Sequence, residues 1–400
     1  MTTLQTIENN YDFSEMHDSI QTYVDKNILS GASSVVLKNN EIVDVKMWGQ
    51  MDMENNKPMQ SDTIFRIFSN TKKVVSVAAM IMYDRAAFNL DDPLEKYIPE
   101  FEKLRVLKSG AEDPTQTEAL NSAPTVRQLM CHNAGFSYGI FVESAVDTLY
   151  LDQNILDANN TLEQMVKKLG EIPLASQPGS RWQYSVSVDV LGRLVEIWSG
   201  LPLDQFLQEN IFEPLSMKDS GFYVPKESHH RLAANYVPVN PLDPMEGGLT
   251  LQPDHPIGAT TTPKKLFSGG AGLASTLGDY TNFIQMLIGK GEWQGNRILK
   301  PETVKLMHTN QLPKGVGLVL PNWPMENTGF GLGLAVKSAP GEGEPDAAKG
   351  EYHWGGLAGT HSWVSPETGI AGIIFTQRLP GFFHPFSQDF KRLVYDVLAE

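Results

Sequence analysis

The chain has 400 residues, more than one hydrophobic core usually serves, so two lobes or domains are expected. Hydrophobic residues at 41% and charged residues at 20% exclude a disordered or fibrous chain. A formal net charge of -15 leaves no basic surface to neutralise phosphates, which argues against a nucleic-acid partner.

The N-terminal stretch MTTLQTIENNYDFSEM has no basic n-region and no apolar run, so no secretory signal is read there. No segment approaches the roughly 18 apolar residues of a membrane span, and no membrane partner is expected. The single cysteine, Cys131, rules out an internal disulfide and a cysteine-based zinc site. These readings together make a cytoplasmic location the expectation.

Val35, Val36 and Leu37 stand before Asn39-Asn40, and Ile42, Val43, Val45 and Met47 after it. This predicts a β-hairpin over 33–49, because adjacent asparagines tolerate a left-handed turn. From Ser69 onward Val74, Val75, Ala78, Ala79 and Met82 recur at helical spacing. Ser69 and Lys72 open that helix three residues apart, on one face and within contact distance. At the positive end of the helix dipole the Ser69 hydroxyl favours a developing alkoxide. Shielded by Val75, Val77 or Met80, Lys72 becomes a base able to take the serine proton. The spacing alone fits equally an N-cap serine beside a solvated lysine, since a Ser-x-x-Lys arises about once by chance in a chain of this size.

Residues 90–101, with Pro93 and Pro99, read as connection, and about 120–220 as mostly helical. Lys108-Ser109-Gly110 reads as a surface turn. Gly135-Phe136-Ser137-Tyr138-Gly139 fits the G-x-S-x-G nucleophile elbow, but it follows the helical stripe Val126, Leu129, Met130 where the elbow requires a strand. Cys131-His132 reads as a buried structural cysteine beside a histidine rather than a thiol dyad. Tyr184 sits in a loop entering the helix of Leu191, Leu194, Val195 and Trp198. It is a general acid–base candidate there, or a core tyrosine with a satisfied hydroxyl.

Residues 222–265, rich in Pro, Asn and Gly, read as long irregular connection. His229-His230 have diverging side chains and no metal-ligand spacing, so no metal or cofactor is expected. Phe283, Met286 and Leu287 mark a helix over 278–289. Trp354-Gly355-Gly356-Leu357 lies at the lip of the C-terminal strands. Glycines there allow close approach of a ligand, or form a bulge. Strands over 362–365 and 370–376 flank a Pro366-Glu367-Thr368-Gly369 turn, and a helix over 388–398 closes the chain. Strands at both ends with helices between predict one sheet from the two termini and a helical lobe inserted between them.

In this order the segments resemble the serine β-lactamase and penicillin-binding protein superfamily, in particular its class C-like branch and the family VIII carboxylesterases. The likeness extends to Phe65-Arg66-Ile67, Leu90-Asp91-Asp92-Pro93, Tyr97-Ile98-Pro99-Glu100-Phe101, Leu129-Met130-Cys131-His132-Asn133-Ala134-Gly135, Gly269-Gly270-Ala271-Gly272-Leu273 and Ile298-Leu299-Lys300-Pro301-Glu302-Thr303. It covers roughly residues 15–395. It implies an α+β sandwich of the β-lactamase/transpeptidase type, with an antiparallel sheet lobe of about 1–65 plus 266–400 and a mainly helical lobe of about 66–265.

The resemblance also implies an acyl-enzyme mechanism. Ser69 attacks the carbonyl, Lys72 and Tyr184 relay the proton, and the N–H groups of Ser69 and Leu357 form the oxyanion hole. Trp354, Gly355 and Gly356 contact substrate. Penicillin-recognising members carry Lys-Thr-Gly or Lys-Ser-Gly where this chain has Trp354-Gly355-Gly356, and often asparagine where it has Val186. Losing both polar groups favours a neutral short-chain ester, with acyl transfer to an alcohol as a variant, over an anionic lactam. The alternatives are a β-lactamase or D,D-peptidase, and a catalytically silent scaffold. Tyr138, Phe141, Trp182 and Phe330 are the aromatics expected at an acyl pocket, with loops 136–160 and 222–265 setting its size.

Overall fold

Asn39 and Asn40 take positive φ of 52° and 69°, the geometry of a two-residue turn that matches strand twist. They join β1 (Gly31–Lys38) to β2 (Glu41–Asp52), with Val35 opposite Val45. The computed structural model describes residues 4–399 except 142–143, 254, 256, 321–322 and 343.

The other strands of the main sheet and of the pair beside it follow in chain order as β3 (Lys57–Pro58), β4 (Ile64–Arg66), β5 (Ala274–Thr276), β6 (Thr328–Phe330), β7 (Ala335–Lys337), β8 (Tyr352–Gly356), β9 (Thr360–Ser365) and β10 (Ile370–Phe375). Eight of them form one sheet in the order β6-β7-β8-β9-β10-β1-β2-β3, antiparallel throughout, with β1 beside β10. The sheet therefore joins strands from the two ends of the chain at its centre. β4 and β5 pair separately.

The helices are α1 (Ser14–Asp25), α2 (Thr71–Asp84), α3 (Val126–Met130), α4 (Ala145–Asp152), α5 (Leu162–Leu169), α6 (Ser187–Ser199), α7 (Leu203–Leu207), α8 (Leu277–Ile288), α9 (Pro301–Met307) and α10 (Phe386–Leu398). Period-two alternation buries both faces of the central strands. Ala32 and Val36 of β1 and Ile370 and Ile374 of β10 pack with Met16 and Ile20 of α1 and Phe390 and Val394 of α10. Val35, Leu37, Ile373 and Phe375 join the larger core under α2, α6 and α8. Each such side chain contributes about 1.5–3 kcal/mol by leaving water.

Two stretches differ from the sequence reading. Residues 222–265 contain a small antiparallel pair, Asn235–Pro238 with Leu249–Gln252, whose Leu251 is exposed and so leaves no buried period to read. β6 and β7 are three residues each with glycines at 329, 331 and 333, too short for a periodic signal. Among the described residues no helix is long and apolar enough to cross a membrane.

On the α10 side of the sheet a cavity of about 330 Å³ is lined by Lys337, Glu344, Glu351, His353, His361 and Lys391, among others. Lys337, Glu344, Glu351 and Lys391 are paired with one another. Lys391 Nζ lies 3.2 Å from Glu344 and 3.1 Å from the fully buried Glu351, while Lys337 also bonds Glu344 and the Tyr395 hydroxyl donates to Glu351 at 2.9 Å. Burial opposes ionisation of Glu344, but Lys391, Lys337 and the Gly341 N–H overcome it and hold the carboxyl down to about 2. A depressed carboxylate stabilises the fold above its unfolded pKa and loses that contribution as pH falls through the folded value. Unfolding followed by circular dichroism should therefore show native stability dropping between about pH 4.5 and pH 2. Glu344→Gln should be less stable at pH 7, by up to roughly 3 kcal/mol, and flatter across that acid range.

Candidate active site

The turn that carries Ser69 is fixed before it begins. Arg66 pairs with Ala274, and the Ile67 N–H donates to Leu273 O at 3.0 Å. The buried Arg66 guanidinium donates to Ala259 O at 3.0 Å and Ala233 O at 2.9 Å. Phe68, fully buried, is held at φ 43°, a left-handed conformation that costs a non-glycine residue energy and persists only where packing enforces it. Ser69 follows on a single 3₁₀ turn, Phe68–Asn70, that runs directly into α2. Every residue of α2 from Thr71 to Met82 is buried, so its two lysines are inside the protein.

Tyr184, in the loop before α6, donates its hydroxyl to Ser69 Oγ at 2.8 Å, and Lys72 Nζ lies 3.4 Å from the same oxygen. Lys72, with no exposed surface, donates to Gly270 O at 2.8 Å. Its ammonium stands 4.5 Å from the Tyr184 ring centroid and 5.2 Å from that of Tyr138. Such cation–π contacts are worth about 0.5–2 kcal/mol each and offset part of the desolvation. The Tyr138 and Tyr184 rings stack at 5.5 Å with an interplanar angle of 3°, so Tyr184 has little freedom to swing.

Asp189, in the first turn of α6 and fully buried, also acts on this centre. Its Oδ1 accepts from Ser268 Oγ at 2.6 Å and from the Gly270 N–H at 3.1 Å. Burial pushes its carboxyl above the usual carboxylate range, opposed by the charge of Lys72. Gly270 thus accepts from Lys72 and donates to Asp189. A Cβ there would stand 2.5 Å from Asp189 Oδ2 and 3.0 Å from the Tyr138 hydroxyl, so only glycine fits. Sequence reasoning passed over Asp189. The signal available was a carboxylate between Val188 and Val190 at the start of a helix.

β8 forms the opposite wall. The Trp354 indole donates to the Tyr184 hydroxyl at 3.2 Å, which gives that oxygen one donor and leaves its own proton for Ser69. The β8–β9 ladder ends at the Gly356↔Thr360 pair, one residue before the half-buried Leu357, so the Leu357 N–H lies past the last strand partner. Gly356 lies against the turn that carries Ser69, where a Cβ would stand 2.4 Å from Ile67 O and 2.3 Å from Thr360 Oγ1. Thr360 Oγ1 donates to Ile67 O at 3.0 Å, and Asn70 Nδ2 donates to Thr360 O at 2.8 Å. Ser69, Lys72, Tyr184, Trp354, Gly356 and Leu357 are thus brought together from parts of the chain almost 300 residues apart.

A second cavity of about 330 Å³ opens beside Tyr184, lined by Tyr138, Phe141, Trp182, Val316, Val319 and Leu320, among others. Two expectations are corrected here. Phe330 is fully buried behind Trp182 and Trp354 rather than lining the pocket, and the far wall comes from residues 315–320, not from 222–265.

The other sequence features are structural. Ser137 is buried and bonded to Asp147 and to Gln183 at 3.0 Å, holding the loop that carries Tyr138. Lys108, Ser109 and Gly110 are exposed. Burial pushes the Cys131 thiol up to about 12, which keeps it protonated. His132 Nδ1 shares a hydrogen bond with Ser185 Oγ at 2.9 Å, and its ring packs 5.0 Å from that of Tyr184. His229 Nε2 bonds Val224 O at 2.8 Å, and the described residues contain no metal-holding cluster.

Comparison with known proteins agrees with this geometry. The family model described as Beta-lactamase matches residues 16–395. Protein Rv1367c of Mycobacterium tuberculosis is 32% identical over 369 residues, covering 90% of this chain and 89% of that protein. Esterase EstB of Burkholderia gladioli is 29% identical over 363 residues, covering 87% and 86%. Among solved structures, EstCE1, a hydrolase with promiscuous acyltransferase activity, superposes with a TM-score of 0.78 at 24% identity, covering 95% of this chain and 97% of its own. It shares the fold.

The close packing of Gly356 yields a test. Gly356→Ala should drive β8 off the turn that carries Ser69 and lower turnover of an activated ester by about 100-fold. Thermal unfolding should show a smaller penalty, about 1–3 kcal/mol, with the far-UV spectrum retained.

Proposed function

The chain belongs to the beta-lactamase family, and on that premise we propose that it is a serine carboxylesterase working through an acyl-enzyme on short-chain esters. The observation that carries this reading is the placement of one oxygen. Ser69 Oγ lies within reach of both Tyr184 OH and Lys72 Nζ, and Trp354, not a lysine, covers the tyrosine hydroxyl.

In this reading the Lys72–Tyr184 pair enters the reaction one proton short, as ammonium with phenolate or amine with phenol, and Ser69 attacks the ester carbonyl as its proton passes to the pair. The two groups converge on Ser69 Oγ, so neither is named as the sole base. The N–H groups of Ser69 and Leu357 receive the oxyanion, and such a preorganised donor pair supplies the largest part of the rate enhancement. The pair then returns the proton to the departing alkoxide. Water, or an alcohol in its place, enters from the aromatic cavity side, loses its proton to the same pair and releases the acyl group. Phe141, Trp182, Val316 and Leu320 give the cavity an apolar side that suits an uncharged substituent, with the exposed Arg181 at its edge. That apolar side, with Trp354 where penicillin-recognising members carry a lysine, supports an ester in preference to an anionic lactam.

A fluorophosphonate probe should leave its mass on the peptide containing Ser69. Ser69→Ala should abolish hydrolysis of p-nitrophenyl butyrate, and Tyr184→Phe should lower kcat by about 100-fold or more. Labelling of Ser137 instead, or nitrocefin turnover that outpaces every ester, would overturn the reading.

A further inference from the structure

The residue after Lys72 is a second lysine, and the mechanism above gives it no role. Lys73 is 2% exposed. Where Lys72 turns towards Tyr184, Lys73 turns towards the sheet: its ammonium donates to Ser362 Oγ of β9 and makes a long contact of 3.5 Å with Trp354 O of β8. The Tyr280 ring of α8 lies 5.5 Å from it. Among the described residues no carboxylate faces it. The other titratable groups near it, His353 and His361, are on the same two strands and are kept neutral by burial. A buried ammonium without a counter-ion is expensive, and a methionine of similar length would fill the same space without that cost.

What the ammonium reaches gives the reason to retain it. Trp354 and Ser362 are a directly opposed pair in the β8–β9 ladder, two positions along from Gly356↔Thr360. The α2 end of the seam is already tied at Thr360 by Asn70, whose Oδ1 accepts from the Tyr280 hydroxyl at 3.2 Å. Lys73 adds the next tie along the same hairpin. It fixes the backbone of the residue whose indole holds Tyr184 and whose strand ends one residue before Leu357.

We propose, resting on the esterase reading above, that Lys73 is a positioning residue, its ammonium holding β8 and β9 against α2 so that Trp354 and the Leu357 N–H stay aligned with Ser69. It touches neither Ser69 Oγ nor the Tyr184 hydroxyl, and acts through the strand. Burial pushes the Lys73 ammonium from 10.5 down to about 7. The stability penalty is therefore full below about pH 7 and fades as pH rises towards 10.5.

The test uses the full chain with Lys73→Met at pH 6.5, read by thermal midpoint, by the rate of Ser69 phosphonylation with a fluorophosphonate, and by kcat and KM on p-nitrophenyl butyrate. The thermal midpoint should equal or exceed that of the native chain. Phosphonylation and kcat should fall by about ten-fold or more, since both need the aligned oxyanion hole. KM should stay within about three-fold, the split expected when alignment rather than binding is lost. Phosphonylation and kcat both within about two-fold of native would overturn the proposal. If Lys73→Met does not fold, Ser362→Ala removes one partner and leaves the lysine. A several-fold fall in phosphonylation at unchanged thermal midpoint supports the proposal, and no change overturns it. A native chain that phosphonylates at Ser69 yet hydrolyses no ester would defeat the substrate class alone, and Lys73 would still be judged on the labelling rate.

Discussion

Lys72 has no exposed surface, and the cost of holding an ammonium out of water falls where acceptors, aromatic faces and a counter-charge replace its hydration. Here the Gly270 carbonyl, the Tyr138 and Tyr184 rings and the field of Asp189 do so. Each of these neighbours is itself locked. Gly270 is bound to Asp189, Tyr138 is stacked on Tyr184 and rides on the loop held by Ser137, and Asp189 is anchored through Ser268. The shell that makes the buried lysine tolerable is also the shell that aims it at Ser69 Oγ.

The second constraint is mechanical. Ser69 lies on a turn between β4 and α2, while the wall that faces it is the β8–β9 hairpin almost 300 residues later. A site divided in this way works only if the two pieces do not slide. The seam between them is polar and buried, with Thr360, Asn70, Tyr280, Lys73 and Ser362 in one line. Hydrogen bonds in such a seam are directional, so they set register where apolar packing would tolerate small slips. Gly356 keeps the approach close because no side chain can stand between the strand and the Ile67 carbonyl.

Much of this was legible in the residues. Asn39-Asn40 between apolar runs marks its hairpin by turn chemistry alone, and the Pro366-Gly369 turn does the same for β9 and β10. Ser69, Lys72, Tyr184 and the Trp354-Gly355-Gly356 strand end are all evident as candidates. Spacing did not separate them from an N-cap serine, a solvated lysine and a core tyrosine. Their order within the extended family pattern did. The 315–320 wall of the aromatic cavity carries no motif, and β6 and β7 are too short and glycine-rich to show a period.

The sequence by itself determined which elements form and which residue types are available for chemistry, because turn preference, periodicity and motif order are local properties of the chain. Only the tertiary structure decided what those residues do to one another. Lys72 and Lys73 are adjacent in sequence and alike in chemistry. The roughly 100° step of a helix turns one towards Tyr184 and the other towards Ser362. Asp189 counts as part of the centre only because α6 packs beside α2, and Phe330 leaves the pocket only because Trp182 and Trp354 pack over it. Burial and distance are set by contacts between distant segments, and no local pattern encodes them.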